Sequence, residues 1–204
     1  MKITRYTQSC LLIEDGGSKI LIDPSGEDSA VDFGKLDGVL YTHEHGDHFD
    51  PALCKKFMEQ GIAVYVNAST AKQIEGKPNV VKDGQEFSAG SFKIKVIELP
   101  HCPMPNGSAG PQNTGYLINQ KLFHPGDGKE LKGLQVNNLA VPITGPDISM
   151  RDAFDFLKQV DAKIGIPIHY DKLGANAGVY AEFAERLQMP FEIHALQNNE
   201  SLKI

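Results

Sequence analysis

Short apolar segments bounded by Gly, Pro, Asn or Asp recur along the chain and constrain its fold more than any other feature. Such segments are typical of buried β-strands. The dipeptide Gly16-Gly17 between the first two segments predicts a hairpin. The pattern predicts strands over residues 3–14, 18–24, 36–43, 62–68, 91–100, 113–123, 138–143, 162–170 and 191–196.

Amphipathic stretches between these segments predict helices. Asp50 is a good N-cap and Pro51 a good first residue for a helix that follows the third predicted strand. Ser149 and Asp152 form a capping box in front of a second helix. A third helix is predicted over about residues 180–187, where apolar side chains recur at helical spacing.

The composition is that of an ordinary globular protein, with 204 residues of which 41% are hydrophobic. No linker or low-complexity segment divides the chain. We therefore expect residues 1–204 to form a single domain made of two similar halves that share one core. The simplest architecture, of class α/β (α+β), packs two sheets together with the helices outside.

The charge and the cysteines restrict partners and location. A net charge of −6 argues against a basic surface for nucleic acid. Cys10, Cys54 and Cys102 show no CxxC spacing, which favours a reducing compartment. The apolar run at residues 10–13 is too short for a signal peptide, and no stretch is long enough for a membrane span. We expect a cytoplasmic protein without a membrane contact, and the sequence leaves open whether it forms a homo-oligomer.

One segment, LYTHEHGDHFD, carries three of the seven histidines of the chain. His43 and His45 are two residues apart at the end of a predicted strand, so both side chains point to one side. A glycine then lets the chain turn, and Asp47 and His48 follow in front of a helix. Imidazole and carboxylate are common ligands of zinc, iron and manganese. A solvated polar loop is the alternative, but it does not account for this clustering.

Further ligand-type residues stand where other predicted strands end. His101 follows the segment 91–100, Asp127 follows the segment 113–123, and His169 closes the strand that precedes it. In layered sheet folds such strand ends gather along one edge, where sites are built. These residues, together with those of the first segment, would suit two metal ions that share one bridging carboxylate and leave an open position for water.

The order HxHxDH, then His, Asp and His, resembles the metallo-β-lactamase-fold hydrolase superfamily. The upstream ILIDP, with Asp23, resembles the first motif of that family, and the match extends from Leu21 to Tyr170. The stretches NTGYLI…LFHPGD and FDFLKQVDAKIGIPIHYD look most similar to its short stand-alone members, the group that includes ascorbate-6-phosphate lactonase relatives. One departure is Gly128, which stands where many members have Thr or Ser. The resemblance implies a four-layer αββα sandwich.

The resemblance also implies a role for each matching residue. Two divalent ions are expected, most commonly zinc, with manganese or iron as alternatives. Asp23 would orient a ligand from behind. Asp47 and Asp127 are expected to act in catalysis. By position, His43, His45 and His101 would hold the first ion, Asp47, His48 and His169 the second, and Asp127 would bridge them.

Other residues near the predicted ligands are candidates for a substrate wall. Cys102, His124 and Tyr170 lie beside ligands in the sequence, although a buried thiol, a strand-end histidine and a packed tyrosine are the alternatives. The long Pro- and Gly-rich loop 101–115 starts at a ligand and is predicted to form part of the wall. Residues 142–147 are a second, similar candidate.

These residues predict a hydrolase that cleaves a small-molecule ester, lactone, amide or phosphodiester with a hydroxide held by two metal ions. One alternative is an RNA nuclease, since relatives on this fold cleave RNA, but the negative net charge argues against it. Another alternative is a non-hydrolytic di-iron redox or metal-binding protein. Redox relatives typically carry Glu at the position of His45, which favours hydrolysis here.

Overall fold

The computed structural model describes residues 1–204 and contains two seven-stranded β-sheets. The first sheet consists of β1 (Lys2–Arg5), β2 (Leu11–Asp15), β3 (Ser18–Ile22), β4 (Gly38–Leu40), β5 (Val64–Val66), β6 (Asn79–Val80) and β14 (Ser201–Lys203), in the order β14-β1-β2-β3-β4-β5-β6. The second consists of β7 (Glu86–Ala89), β8 (Phe92–Glu98), β9 (Thr114–Ile118), β10 (Leu122–His124), β11 (Asn138–Pro142), β12 (Ile164–Ile168) and β13 (Glu192–Ile193), in the order β13-β12-β11-β10-β9-β8-β7.

Three α-helices and two short 3-10 helices connect the strands. The α-helices are α1 (Pro51–Glu59), α2 (Met150–Gln159) and α3 (Ala177–Arg186), and the 3-10 helices are Gly26–Asp28 and Thr70–Gln73. No helix is both long and apolar enough to cross a membrane. The predicted N-caps are confirmed, because Asp50 accepts a hydrogen bond from the amide of Leu53, and Ser149 and Asp152 form a reciprocal capping box.

Alternation of side chains along the strands builds the layers. In β3, Ile20 and Ile22 face the space between the sheets, where they join apolar residues of the second sheet such as Ile94. Leu21 points to the other face of the first sheet and packs in the cluster that holds the apolar side of α1. A third apolar cluster lies between the outer face of the second sheet and the helices α2 and α3. The resulting order of helix, sheet, sheet and helices is the predicted αββα sandwich.

Two segments that were predicted as single strands each form two strands in the structure. The segment 3–14 forms β1 and β2, which pair antiparallel, and the segment 113–123 forms β9 and β10 in the same way. The chain reverses where residues adopt positive φ, at Gln8 (φ 56°) in the first segment and at Asn119 and Gln120 (φ 50° and 55°) in the second. The hairpin at Gly16-Gly17 is confirmed, with Asp15 opposite Ser18.

The remaining differences concern short or weakly apolar elements. The strand predicted over residues 191–196 shortens to β13, and the third helix starts earlier than predicted, at Ala177, after an Asn176 cap. The pattern also missed β6, β7 and β14, whose residues are mostly exposed and therefore lack the apolar signature of a buried strand.

Candidate metal centre

Two neighbouring groups of His and Asp side chains lie at one edge of the sandwich, where strands of both sheets end. Within each group the potential ligand atoms all lie within 4.8 Å of one another. The structure thus brings together every residue predicted to hold a metal. The first group is His43, His45, His101 and Asp127, and the second is Asp47, His48 and His169.

Asp127 lies between the two groups. Its Oδ1 is 3.0 Å from Nε2 of His48, while its Oδ2 is 3.2 Å from Nε2 of His101 and 3.3 Å from Nε2 of His169. Nε2 of His43 is 3.9 Å from the same Oδ2. One carboxylate therefore faces imidazoles of both groups, which is the position required of a bridging ligand.

In four of these histidines, Nδ1 has a hydrogen-bond partner within the protein. When Nδ1 of a histidine donates a hydrogen bond, the neutral ring presents Nε2 as a free ligand atom. Each anchor therefore selects both the ring orientation and the tautomer that a metal site needs. The contacts of Nδ1 are His43 to Thr42 Oγ1 (3.0 Å), His48 to Asp23 Oδ2 (2.8 Å), His101 to the Cys102 carbonyl (2.6 Å) and His169 to the Thr144 carbonyl (2.7 Å).

Asp23 is fully buried behind His48, directly after β3. Its Oδ1 accepts a hydrogen bond from the Thr42 amide (2.7 Å), and its Oδ2 accepts one from the Thr42 hydroxyl (2.7 Å) in addition to that from His48. The Asp23 carboxylate thus connects Thr42, just after β4, to His48, just before α1. Its placement suits the predicted role of orienting a ligand.

The electrostatics of the site couple one buried carboxylate to the imidazoles around it. Burial alone would raise the pKa of the Asp127 carboxyl, but His48 and His169 outweigh it and hold that pKa well below its usual range. Burial would lower the pKa of His101, but the Asp127 carboxylate and the Cys102 carbonyl raise it to about 10. Burial lowers the pKa of His43 well below its ordinary value. Every ion-pair partner of Asp127 is an imidazole, which can bind a metal ion in its neutral form, and none is a Lys or Arg.

The unsatisfied atoms of the site test whether a metal ion fits. His48 Nε2, His101 Nε2 and Asp127 Oδ1 are buried, and although His48 and His101 lie 3.0–3.2 Å from the Asp127 carboxylate, none of the three atoms makes a hydrogen bond of good geometry. A buried polar atom without a partner costs about 1–3 kcal/mol. A divalent cation that accepts imidazole nitrogen and carboxylate oxygen would satisfy all three atoms. The residues therefore fit a metal site.

The open side of the site is the turn at Gly46. His45, from the first group, and Asp47, from the second, are only partly buried, and Gly46 between them is exposed. Glu44 points away, because its carboxylate accepts hydrogen bonds from Ser69 (2.5 Å) and Thr70 (3.2 Å). A substrate would therefore approach over one residue of each group.

The loop 101–115 contacts the site, and its role as a substrate wall stays a prediction. The backbone at Gly110 packs so closely on the imidazole of His101 that a Cβ atom there would overlap the ring. Residues Met104 to Ser108 form an exposed turn, closed by a hydrogen bond from the Met104 amide to the Ser108 carbonyl (2.9 Å). The second candidate segment, 142–147, contacts the site through the Thr144 carbonyl.

The three single residues proposed for a substrate wall do not line the open side. His124 is fully buried, and its Nε2 contacts the Ser9 carbonyl at 2.9 Å. Cys102 is 1% exposed. The hydroxyl of Tyr170 donates to the Leu196 carbonyl at 2.5 Å, and its ring packs under the guanidinium of Arg5. The imidazole of His124 and the hydroxyl of Tyr170 are occupied within the protein and the Cys102 thiol is buried, so the wall prediction is wrong for all three.

Several residues that support the site were missed. Gln8 donates to Asp47, and Asn113 accepts a hydrogen bond from the Asp127 amide at 3.2 Å. The backbone of Gly126 (φ 58°) leaves no room for a side chain beside Asn113 and Thr42. Only Gly126 had a signal in the sequence, as the glycine of HPGD in front of a predicted ligand.

A family model described as a beta-lactamase superfamily domain matches residues 2–169 of the chain. A UPF0173 protein from Pyrococcus furiosus is 32% identical over 198 residues, covering 89% of this chain and 86% of that protein. A UPF0173 metal-dependent hydrolase from Carboxydothermus hydrogenoformans is 28% identical over 211 residues, covering 91% of this chain and 92% of that protein.

Solved structures share the fold at lower identity. A putative metal-dependent hydrolase from Parabacteroides distasonis matches with a TM-score of 0.76 and 24% identity, over 96% of this chain and 93% of that one. A metallo-β-lactamase fold protein from Bacillus subtilis matches with a TM-score of 0.75 and 15% identity, over 98% of both chains. The predicted four-layer fold is confirmed by these neighbours.

Proposed function

Since the chain belongs to the beta-lactamase superfamily and is a metal-dependent hydrolase of it, we propose that it uses two divalent ions to hydrolyse a small-molecule ester, lactone, amide or phosphodiester. When bound, such ions supply Lewis acidity and an activated water without a serine or cysteine nucleophile. Zinc is proposed first, with manganese or iron as alternatives.

The position of Asp127 carries this proposal. Its two carboxylate oxygens face imidazoles of both groups, so this one residue would contribute a ligand to each ion. His43, His45 and His101 would complete the first position, and Asp47, His48 and His169 the second. Because hydrogen bonds at Nδ1 already orient the Nε2 atoms of four histidines, the site needs little rearrangement to bind metal ions.

Asp47 is the acidic side chain at the open side. Burial would raise the pKa of its carboxyl, but hydrogen bonding with His169 and the charge of His48 lower that pKa below its ordinary range. Asp47 therefore stays ionised and can accept a hydrogen bond from a water or substrate group that enters at the turn. Tyr170 is excluded as a proton donor to the leaving group because its hydroxyl is held by the Leu196 carbonyl.

A small molecule fits this site better than RNA. The net charge is −6, and an RNA-binding surface depends on clustered Lys and Arg for phosphate contacts. The open side is built of histidine, glycine and a carboxylate, which offer no such cluster.

A substrate panel tests the proposal. Protein loaded with zinc, manganese or iron would be assayed on lactones, amides, phosphodiesters, thioesters and aryl esters, each beside metal-stripped protein. We expect metal-dependent turnover on one substrate class. Absence of turnover on every class with every metal would contradict the hydrolytic function and favour a metal-binding role.

Replacing Asp127 with Ala should abolish turnover and the binding of both ions together, because the residue faces both groups. Metal content by mass spectrometry and the rate on the best panel substrate would be measured side by side. Asp155→Ala, an exposed carboxylate on α2, is the matched control and should keep both. Full activity of Asp127→Ala would contradict the proposed mechanism.

A further inference from the structure

Gln8 lies in the loop between β1 and β2, far in sequence from every candidate ligand. It is fully buried and adopts the left-handed conformation, with φ 56°. A non-glycine residue with positive φ costs free energy and persists where surrounding contacts impose it. The contacts of Gln8 explain why the chain holds it there.

Both ends of the Gln8 side chain are used. Its Nε2 donates to Oδ2 of Asp47 at 3.1 Å. Its Oε1 accepts hydrogen bonds from the amides of Asp171 (2.8 Å) and Lys172 (3.2 Å). The side chain thus joins the motif loop after β4 in the first sheet to the loop after β12 in the second sheet.

The backbone of Gln8 holds the same second loop. Its carbonyl accepts a hydrogen bond from the His169 amide at 3.0 Å, and its amide donates to Oδ2 of Asp171 at 2.5 Å. His169 itself adopts φ 60°, so its conformation also needs support from outside the residue. Asp171 is in turn paired with the guanidinium of Arg5. Gln8 therefore contacts two members of the second group, Asp47 and His169.

The first group has its own supports, which do not involve Gln8. The Asn67 amide donates to the Thr42 carbonyl (3.0 Å) and the Gln112 carbonyl (2.9 Å), which ties the end of β4 to the loop before β9. Asn113 holds the turn at Asp127, donating to the Pro125 carbonyl at 2.9 Å. Loss of the Gln8 side chain would therefore disturb the second group, Asp47, His48 and His169, and leave the first group in place.

We propose that Gln8 is a positioning residue that sets the affinity of the second metal position, formed by Asp47, His48 and His169. This role rests on the proposed two-metal function. The Gln8 amide donates to the Asp47 carboxylate and accepts hydrogen bonds from the loop that carries His169. It thereby holds two ligands that follow strands of different sheets next to each other. Supporting contacts of this kind typically change metal affinity by about 10- to 100-fold when they are removed.

Two variants separate the side chain from the backbone. Gln8→Gly adopts the left-handed conformation without steric strain and keeps both backbone hydrogen bonds while removing the amide. Gln8→Met keeps the length of the side chain but cannot make its hydrogen bonds. Each metal-free protein would be titrated with Co²⁺ alone, followed by visible absorption and calorimetry. We expect two equivalents to bind the wild type, and in both variants an unchanged first equivalent with a second weakened about 10- to 100-fold.

Asn138→Ala is the matched control. The Asn138 amide is also buried and donates to the Lys121 carbonyl at 2.7 Å, away from the site, so this variant should bind two equivalents as the wild type does. Two unchanged equivalents in both Gln8 variants would overturn the role of Gln8 alone. Loss of both equivalents together with the fold, seen by circular dichroism, would assign Gln8 to fold maintenance instead. A single equivalent in the wild type would contradict the two-metal function itself and this role with it.

Discussion

At the scale of single residues, the site depends on backbone conformations that few side chains permit. Gly126 immediately precedes Asp127 and has φ 58°, where a Cβ atom would meet Asn113 Oδ1 and lie 2.8 Å from the Cβ of Thr42. Gly128, on the other side, leaves space that Leu99 fills, so a larger residue there would collide with the core. Asp127 is therefore placed by two glycines whose small size is required for packing.

Gly126→Ala should weaken both metal positions and destabilise the fold. The left-handed conformation alone costs about 1–2 kcal/mol for alanine, and the collision with Asn113 and Thr42 shifts Asp127 in addition. Urea unfolding and Co²⁺ titration measure the two effects. Gly34→Ala is the matched control, because Gly34 has a similar φ of 67° with nothing within 4 Å. Equal effects of the two substitutions on metal affinity would contradict this account.

The sequence predicted the candidate ligands but few of their partners. Histidine is rare enough that clusters at strand ends stand out, and Asp23 follows an apolar strand in the same way. Two of the four imidazole anchors are the backbone carbonyls of Cys102 and Thr144, and a backbone carbonyl leaves no signal in the residue types. Gln8 bonds to Asp171 across 163 residues, so only the folded chain shows the contact.

At the scale of elements, the sequence predicted helices correctly where one face is buried and the other exposed. The capped helices α1 and α2 carry apolar stripes and local hydrogen-bond signals, so both were predicted close to their observed bounds. The segments 3–14 and 113–123 were misread because apolar residues continue on both sides of each turn. The turn at Asn119 and Gln120 contains neither Gly nor Pro, and its one turn-forming residue, Asn119, was passed over within a segment that is apolar on both sides of the turn.

Removing the tip of the loop 101–115 should change substrate selection more than metal content. The turn Met104–Ser108 is exposed and closed on itself, while His101 and the packing of Gly110 stand outside the deleted part. A deletion of residues 104–109 should raise KM or alter the preferred panel substrate, with both metal equivalents retained. Kinetics and metal analysis on the same preparation would check this. Loss of metal from the deletion variant would instead mean that the loop supports the ligands.

At the scale of the whole molecule, the ligands of each position come from both sheets. His43 and His45 follow β4 of the first sheet, whereas His101 and Asp127 follow strands of the second. We propose that the two sheets, each with its outer helices, are the two similar halves expected from the sequence. A metal ion bound by residues of both sheets would then stabilise the contact between the two halves.

Metal removal should therefore lower the thermal stability of the whole chain. A ligand that binds only the folded state at 100 times its Kd stabilises it by about 2.7 kcal/mol, and each kcal/mol corresponds to about 2–4 °C in Tm for a chain of this size. Calorimetry with and without a chelator measures the shift. The same chelator should leave Asp127→Ala unaffected. An unchanged Tm of the wild-type protein after complete metal removal would contradict this stabilising role.

The most direct test of the two-metal centre is anomalous diffraction from crystals of the zinc-loaded protein, with data collected on both sides of the zinc absorption edge. The proposal predicts two zinc peaks at the edge of the sandwich, one beside His43, His45 and His101 and one beside Asp47, His48 and His169, with Asp127 contacting both. A single peak, or peaks that do not touch Asp127, would contradict it.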